Sequence, residues 1–361
     1  MKTKLLLTAL LLSLSFTLMA ETYKGLKFVA LKPVSIGMTN NDGNAPDLKY
    51  SLNGGITWIQ WDYSAIELAQ GDEIYFKGNN PDGFSSSATK YSTFTMTDSV
   101  AASGNIMSLI DNGACNTLEI PCNDCFRQLF KNCIYLTSAP DLPATTLEIN
   151  CYAQMFHTCK SLTKAPELPA TELAESCYSN MFGICSSLIQ APVLAATTAP
   201  SMCYANMFGG CISLKDAPDL PATTLGPSCY YQMFLNCSTL TVAPDLLAPT
   251  LKKYSYYHMF YGCTSLMYVK CLAIDISAQE CTANWLENVA TTGVFFKAKT
   301  MDSWTISTDG IPSGWTIRSV EAPSSIDVVQ TDTKANKFFR DGQVLIQQGD
   351  KTYNAQGARV K

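Results

Sequence analysis

Charge is scarce in this chain. Charged residues make up 15% of the sequence, against about 25% in an average soluble domain. The formal net charge is −5, and no cluster or stripe of Lys and Arg occurs, which excludes nucleic acid as the expected partner. Histidine is scarcer still: there are 2, His157 and His258, beside different Met-Phe pairs and without a serine, cysteine or carboxylate partner fixed by spacing. No phosphate loop, zinc-protease helix or nucleophile elbow appears. The chain therefore reads as non-enzymatic, with no cofactor and no resident metal. Beyond the first twenty positions no apolar stretch is long enough to span a bilayer, so no membrane span is expected.

The first residues read as a secretory signal. Met1-Lys2-Thr3-Lys4 supplies a positive end, and a mostly apolar run from Leu5 to Met19 leads to a cut after Ala20. Residues 1–20 are then a signal peptide and the mature protein is exported, secreted or held at the outer cell surface. No cysteine at the junction marks a lipid anchor. Residues 21–104 follow as a small β-sandwich: Asn53-Gly54-Gly55, Gln70-Gly71-Asp72 and Asn79-Asn80-Pro81-Asp82-Gly83 are turn signals. Between them lie the strand-like runs Leu48-Lys49-Tyr50-Ser51, Trp58-Ile59-Gln60-Trp61, Glu73-Ile74-Tyr75-Phe76-Lys77 and Thr93-Phe94-Thr95-Met96. Ser51-Leu52-Asn53-Gly54-Gly55-Ile56-Thr57-Trp58 looks like an Asp-box hairpin with Asn53 in the place of aspartate.

Met-Phe recurs at 155–156, 181–182, 207–208, 233–234 and 259–260, a spacing of 26. The repeated unit is Cys-Tyr-x-x-Met-Phe-x-x-Cys-x-Ser-Leu-x-x-Ala-Pro-x-Leu-Pro-Ala-Thr. Leu129-Phe130 and Trp285-Leu286 carry degraded copies on either side. A fixed period of this length predicts a solenoid over residues 105–318, each unit burying its apolar side only against neighbours. Within one unit, Leu173, Cys177, Met181 and Cys185 lie four apart, which predicts a short helix. Gly183 and Gly209 would end it, and Leu188 would begin an extended stretch that Pro192 weakens as a strand. The expected fold class is α/β, a solenoid of short helix plus short strand units. Residues 319–325 read as a linker, and residues 326–361 as a C-terminal β tail.

Met259-Phe260-Tyr261-Gly262-Cys263-Thr264-Ser265-Leu266, with the Leu168-Pro169 type of continuation, resembles the BspA-like leucine-rich repeats of bacterial surface proteins. The resemblance implies a leucine-rich-repeat solenoid, a secreted or surface setting and a link with adhesion, and no catalytic residues. The final segment, in Gly342-Gln343-Val344-Leu345-Ile346 and Tyr353-Asn354-Ala355-Gln356-Gly357-Ala358-Arg359-Val360, is similar to C-terminal sorting tails of type IX secretion.

Five columns of the repeat are candidates for function. Twelve of the 15 cysteines fall in two of them, the place of Cys177 and the place of Cys185. Disulfides between units and buried thiols are both open, with buried thiols favoured. Cys122-Asn123-Asp124-Cys125 has metal or redox spacing, but Cys125 already fills a repeat place. Gln128, Gln154, Asn180, Asn206, Gln232 and Asn284, with His258, form an amide column that reads as structural. Tyr152, Tyr178, Tyr204 and Tyr230 form an aromatic column, either packing between units or a platform for sugars or a protein. Asp141, Glu167, Asp219 and Asp245 form an acidic column, either a solvated face or a site for a basic partner. The tyrosines and acids are the candidate ligand-binding residues. The expected function is a secreted or surface binding and adhesion protein whose ligand is a protein or glycan on a host or neighbouring cell. The alternative is a carbohydrate-binding or glycan-processing accessory protein.

Overall fold

The computed structural model describes residues 23–41, 43 and 45–321, and the backbone of the strands at 335–340, 343–348, 351–354 and 359–360. The expected signal peptide, and positions 322–325 of the expected linker, lie outside the described residues. The N-terminal unit contains β1 (Lys27–Ala30), β2 (Val34–Asn40), β3 (Leu48–Ser51), β4 (Ile59–Gln60), β5 (Ile66–Leu68), β6 (Glu73–Gly78), β7 (Ser92–Met96) and β8 (Val100–Ser103). Strands β3, β4, β6 and β7 match four runs read from the sequence. β5-β2-β7 form one sheet, and β4-β3-β6-β1-β8 continue into β9 (Leu136–Ser138) to form the other. The two sheets meet face to face: the Phe94 ring lies 5.1 Å from Phe28 and 5.3 Å from Phe76.

The helix-and-strand unit expected of the repeat does not form. Among the described residues the only helix is one 3-10 turn, Ile106–Leu109, and the Met-Phe units wind into a β-solenoid of about five turns. The correction follows from the hydrogen bonds of one coil. Every second N–H closes a four-residue turn on its own coil: Ala153 to Asn150 O, Met155 to Tyr152 O, His157 to Gln154 O and Cys159 to Phe156 O. The N–H groups between them reach the next coil instead: Tyr152 to Cys177 O, Gln154 to Ser179 O, Phe156 to Met181 O and Thr158 to Gly183 O. Half of the backbone donors are thus spent locally and half along the solenoid axis, so this ribbon meets the same demand that a helix would meet internally.

Such a ribbon repeats every four residues, where a helix repeats every 3.6. One residue in four has positive φ, as at Asn150 (57°), Gln154 (56°) and Thr158 (66°). Each is the third residue of a turn, the place that a type II turn requires to be left-handed. Asn visits that region at lower cost than most side chains, which gives the amide column a structural reason. Gln128, Gln154, Asn180, Asn206, Gln232, His258 and Asn284 all have positive φ.

The two residues after each of the first two positive-φ positions of a coil point inward, and a single cysteine does so after the third. Cys177, Tyr178, Met181, Phe182 and Cys185 are all buried, and equivalent rings stack from coil to coil. The Phe130, Phe156, Phe182, Phe208, Phe234 and Phe260 centroids are 5.4 to 5.8 Å apart with planes within 13°. Each buried ring contributes roughly 1.5–3 kcal/mol of transfer free energy. All fifteen cysteines are free thiols.

Across the rest of the coil, the Ala-Pro-x-Leu-Pro stretch supplies few donors, because proline has no N–H. Pairing there is sparse: β10 (Thr198–Ala199) pairs β11 (Thr224–Leu225), and single bridges join Glu119 to Thr146, Lys164 to Gln190 and Thr250 to Asp275. Where proline thins out, a parallel sheet appears: β12 (Val242–Leu246), β13 (Tyr268–Cys271), β14 (Val294–Ala298) and β15 (Thr316–Val320). Val242 pairs Tyr268, and Tyr268 pairs Val294, so the sheet register repeats the sequence period. A separate antiparallel sheet contains β16 (Ala335–Arg340), β17 (Gln343–Gln348), β18 (Lys351–Asn354) and β19 (Arg359–Val360).

The N-terminal unit and the solenoid share one core, from Leu26 to Trp315. Strand β8 pairs β9 in parallel, and the unit imitates a coil. The Phe94 N–H donates to Leu129 O and the Phe84 N–H to Cys125 O. The Phe94 ring stacks on Phe130 at 5.4 Å and the Phe84 ring on Phe126 at 5.9 Å. Residue 104 is therefore a change of architecture without a break in packing.

Candidate functional site

The candidate tyrosines lie inside the coil. Tyr152, Tyr178, Tyr204 and Tyr230 are at most 2% exposed, stacked 5.8 to 6.1 Å apart. Burial pushes all four phenols well above their ordinary pKa. Their role is packing, and the surface-platform expectation is withdrawn for this column. The reason is the ribbon: its inward face takes two adjacent residues, so the tyrosine follows the cysteine inside.

The acidic column does lie outside. Asp141, Glu167 and Asp219 are exposed, and Asp245 is half-buried with Lys270 Nζ at 2.9 Å. The four are one coil or more apart along the axis and do not converge. No group of three or more His, Cys, Asp or Glu suited to hold a metal occurs among the described residues. Asn53 of the Asp-box-like segment is used internally: its Oδ1 accepts from Thr57 N at 3.0 Å and its Nδ2 donates to Thr57 Oγ1 at 2.8 Å. With a further bond from Ser51 Oγ to Asn53 Oδ1 at 2.8 Å, the side chain holds the hairpin together. In Cys122-Asn123-Asp124-Cys125, Cys125 is buried and Cys122 half-buried.

A groove of about 330 Å³ crosses three coils, lined by Ile189, Val193, Asp216, Asp219, Val242 and Pro244 among others. It lies where Pro192, Pro218 and Pro244 stand one above another. Ile189 and Val193 are 59% and 55% exposed.

A cluster of aromatic side chains lies on the ribbon face of the last two perfect coils. The Tyr231 and Tyr257 rings stack at 4.9 Å with planes 2° apart. His258 lies against Tyr257 at 4.1 Å and Tyr261 against His258 at 5.1 Å. Tyr254 meets Tyr257 edge-on at 5.6 Å. All five are half-buried. Tyr254 Oη donates to Glu280 Oε1 at 3.4 Å and lies 3.5 Å from Gln279 Nε2, while Lys253 Nζ sits 5.0 Å over its ring. The hydroxyls of Tyr231, Tyr257 and Tyr261 take no partner among the described residues. Partial burial holds His258 below its ordinary pKa, against a smaller upward pull from Glu287. Burial, aided by Tyr257, Tyr254 and Glu280, raises that of Tyr231.

Column reading of the sequence missed this cluster because its tyrosines sit at places the repeat leaves variable. A signal was present in 254–261, Tyr-Ser-Tyr-Tyr-His-Met-Phe-Tyr, the one copy crowded with aromatics outside the repeated positions.

Among the described residues no helix is long and apolar enough to cross a membrane. Comparison with protein-family models, with curated proteins and with solved structures gives no match.

Proposed function

We propose that this β-solenoid is an exported, non-enzymatic binding protein that presents its outer face to a protein or glycan ligand on a host or neighbouring cell. One observation carries the reading: the repeated residues are spent on core and turns, whereas Tyr231, Tyr254, Tyr257 and Tyr261 gather on the surface at variable places, around His258 of the amide column. Amphipathic rings of this kind give a large contact area at low conformational cost. The apolar run ending at Ala20, the BspA-like motif and the type IX-like tail support export and a surface setting. The test is a glycan array run together with a matrix-protein pull-down on the purified full-length protein. Retention by either supports binding, and retention by neither retires the reading.

A further inference from the structure

We infer that the Tyr231–Tyr257–His258–Tyr261 stack is a binding site for a neutral, pyranose-containing glycan; this rests on the binding-protein reading and names the ligand class for it. The fold does not need these rings. At the place of Tyr231 and Tyr257 the other coils have Arg127, Ala153, Ser179, Ala205 and Ala283. At the place of Tyr261 they have Lys131, His157, Gly183, Gly209, Leu235 and Glu287. Coils with alanine or glycine there wind with the same turns and the same cross-coil bonds. The three tyrosine rings are therefore an addition to the scaffold, and His258, at the turn place of the amide column, joins them in one stack.

The chemistry of the stack fits a sugar. A pyranose has C–H faces and a rim of hydroxyls. It is matched by ring surface together with groups that both donate and accept, and each phenol does both. Tyr231, Tyr257 and Tyr261 have hydroxyls without partners among the described residues, and His258 is held toward its neutral form. Charge argues for a neutral ligand, because both signs border the stack: Glu280 accepts from Tyr254 Oη, Glu287 acts on His258 and Lys253 covers the Tyr254 ring. Ring centroids 4.1 to 5.6 Å apart are in contact, so the stack offers ring faces and hydroxyls rather than a pocket for an anchoring side chain. Tyr231 ends the stack toward Ala205, so it has no aromatic neighbour in its own column on that side and can take a sugar ring along the solenoid axis.

Affinity electrophoresis of the full-length protein tests the inference, in native gels containing soluble β-glucan, α-mannan or arabinoxylan, with alginate as the anionic control and immobilised gelatin as the protein probe. At least one neutral polysaccharide retards the wild type. Tyr257→Ala and Tyr231→Ala each weaken that retardation tenfold or more, and Tyr257→Phe weakens it less. Circular dichroism and the urea midpoint stay near wild type, since alanine already occupies this place in three other coils. Retardation by none of the neutral polysaccharides overturns the inference, as does retardation that both alanine variants keep. Gelatin binding that Tyr257→Ala abolishes, without polysaccharide binding, overturns the glycan assignment and leaves the binding reading standing. No binding to any probe fails both.

Discussion

The thiol of Cys185 donates to the carbonyl oxygen of Phe156 in the preceding coil at 3.1 Å. The contact recurs with the repeat, from Cys159 to Phe130, Cys211 to Phe182, Cys237 to Phe208 and Cys263 to Phe234. Cys133 makes it to Phe94 of the N-terminal unit. This cysteine column thus does more than fill space: it supplies a second donor to a carbonyl that its own coil serves only once.

The donor can be separated from the volume. Cys185→Ser keeps an O–H, while Cys185→Val keeps bulk and removes the donor. Valine is expected to cost more than serine, with the difference about 1 kcal/mol. Urea unfolding of the two variants measures it, and equal midpoints would show that volume alone matters.

Ile184 is exposed and has a φ of 61°, a conformation unfavourable for a β-branched residue. The same place holds Gly210, Asn236 and Gly262 in the following coils. Ile184→Asn should stabilise the protein by about 1 kcal/mol, seen as a higher urea midpoint. A lower midpoint would mean that the isoleucine makes contacts worth more than its backbone strain.

The four-residue spacing is where sequence reading and structure part. An i, i+4 pattern belongs to a helix and to this turn ribbon alike, so Cys177, Met181 and Cys185 could not decide between them. Two signals could have: residues tolerant of positive φ four apart in several copies, as Asn206 with Gly210 and Asn284 with Asn288, and the pairing of Cys177 with Tyr178 and of Met181 with Phe182. A helix turns about 100° per residue and would have carried Tyr178 away from the core. The strands at Leu48–Ser51, Glu73–Gly78 and Ser92–Met96 were readable because turn residues bracket them. The tyrosine cluster was not, since its residues meet only when neighbouring coils are stacked.

The Tyr152 hydroxyl is buried without a partner, and Phe126 fills the equivalent place one coil earlier. Tyr152→Phe should be neutral or stabilising by about 1 kcal/mol, because it removes an unsatisfied polar group. Chemical unfolding reads the change, and a loss of stability would reveal a partner for that hydroxyl.

Both ends of the pH scale should weaken the fold. Burial lowers the pKa of His157 and His258, so the unfolded chain binds more protons in that range. Stability falls as pH drops from about 6.5. Burial raises the thiols of Cys185, Cys229 and Cys237 from 9.0 to about 12, so their contribution is complete below pH 9 and is lost as pH rises toward 12. Urea midpoints across the range should form a plateau between these limits. A midpoint unchanged from pH 8 to 11 would contradict the buried-thiol core.

Because the N-terminal unit presents Phe84 and Phe94 as if it were one more coil, each coil meets the same partner below it that it offers above. A coil can then be inserted or deleted as a unit of 26 residues without redesigning either neighbour. Successive coils advance by about the strand spacing of 4.7–4.9 Å. The number of coils therefore acts as a ruler: each one added moves the tyrosine stack one step farther from the N-terminal unit, leaving its chemistry unchanged and altering only its reach.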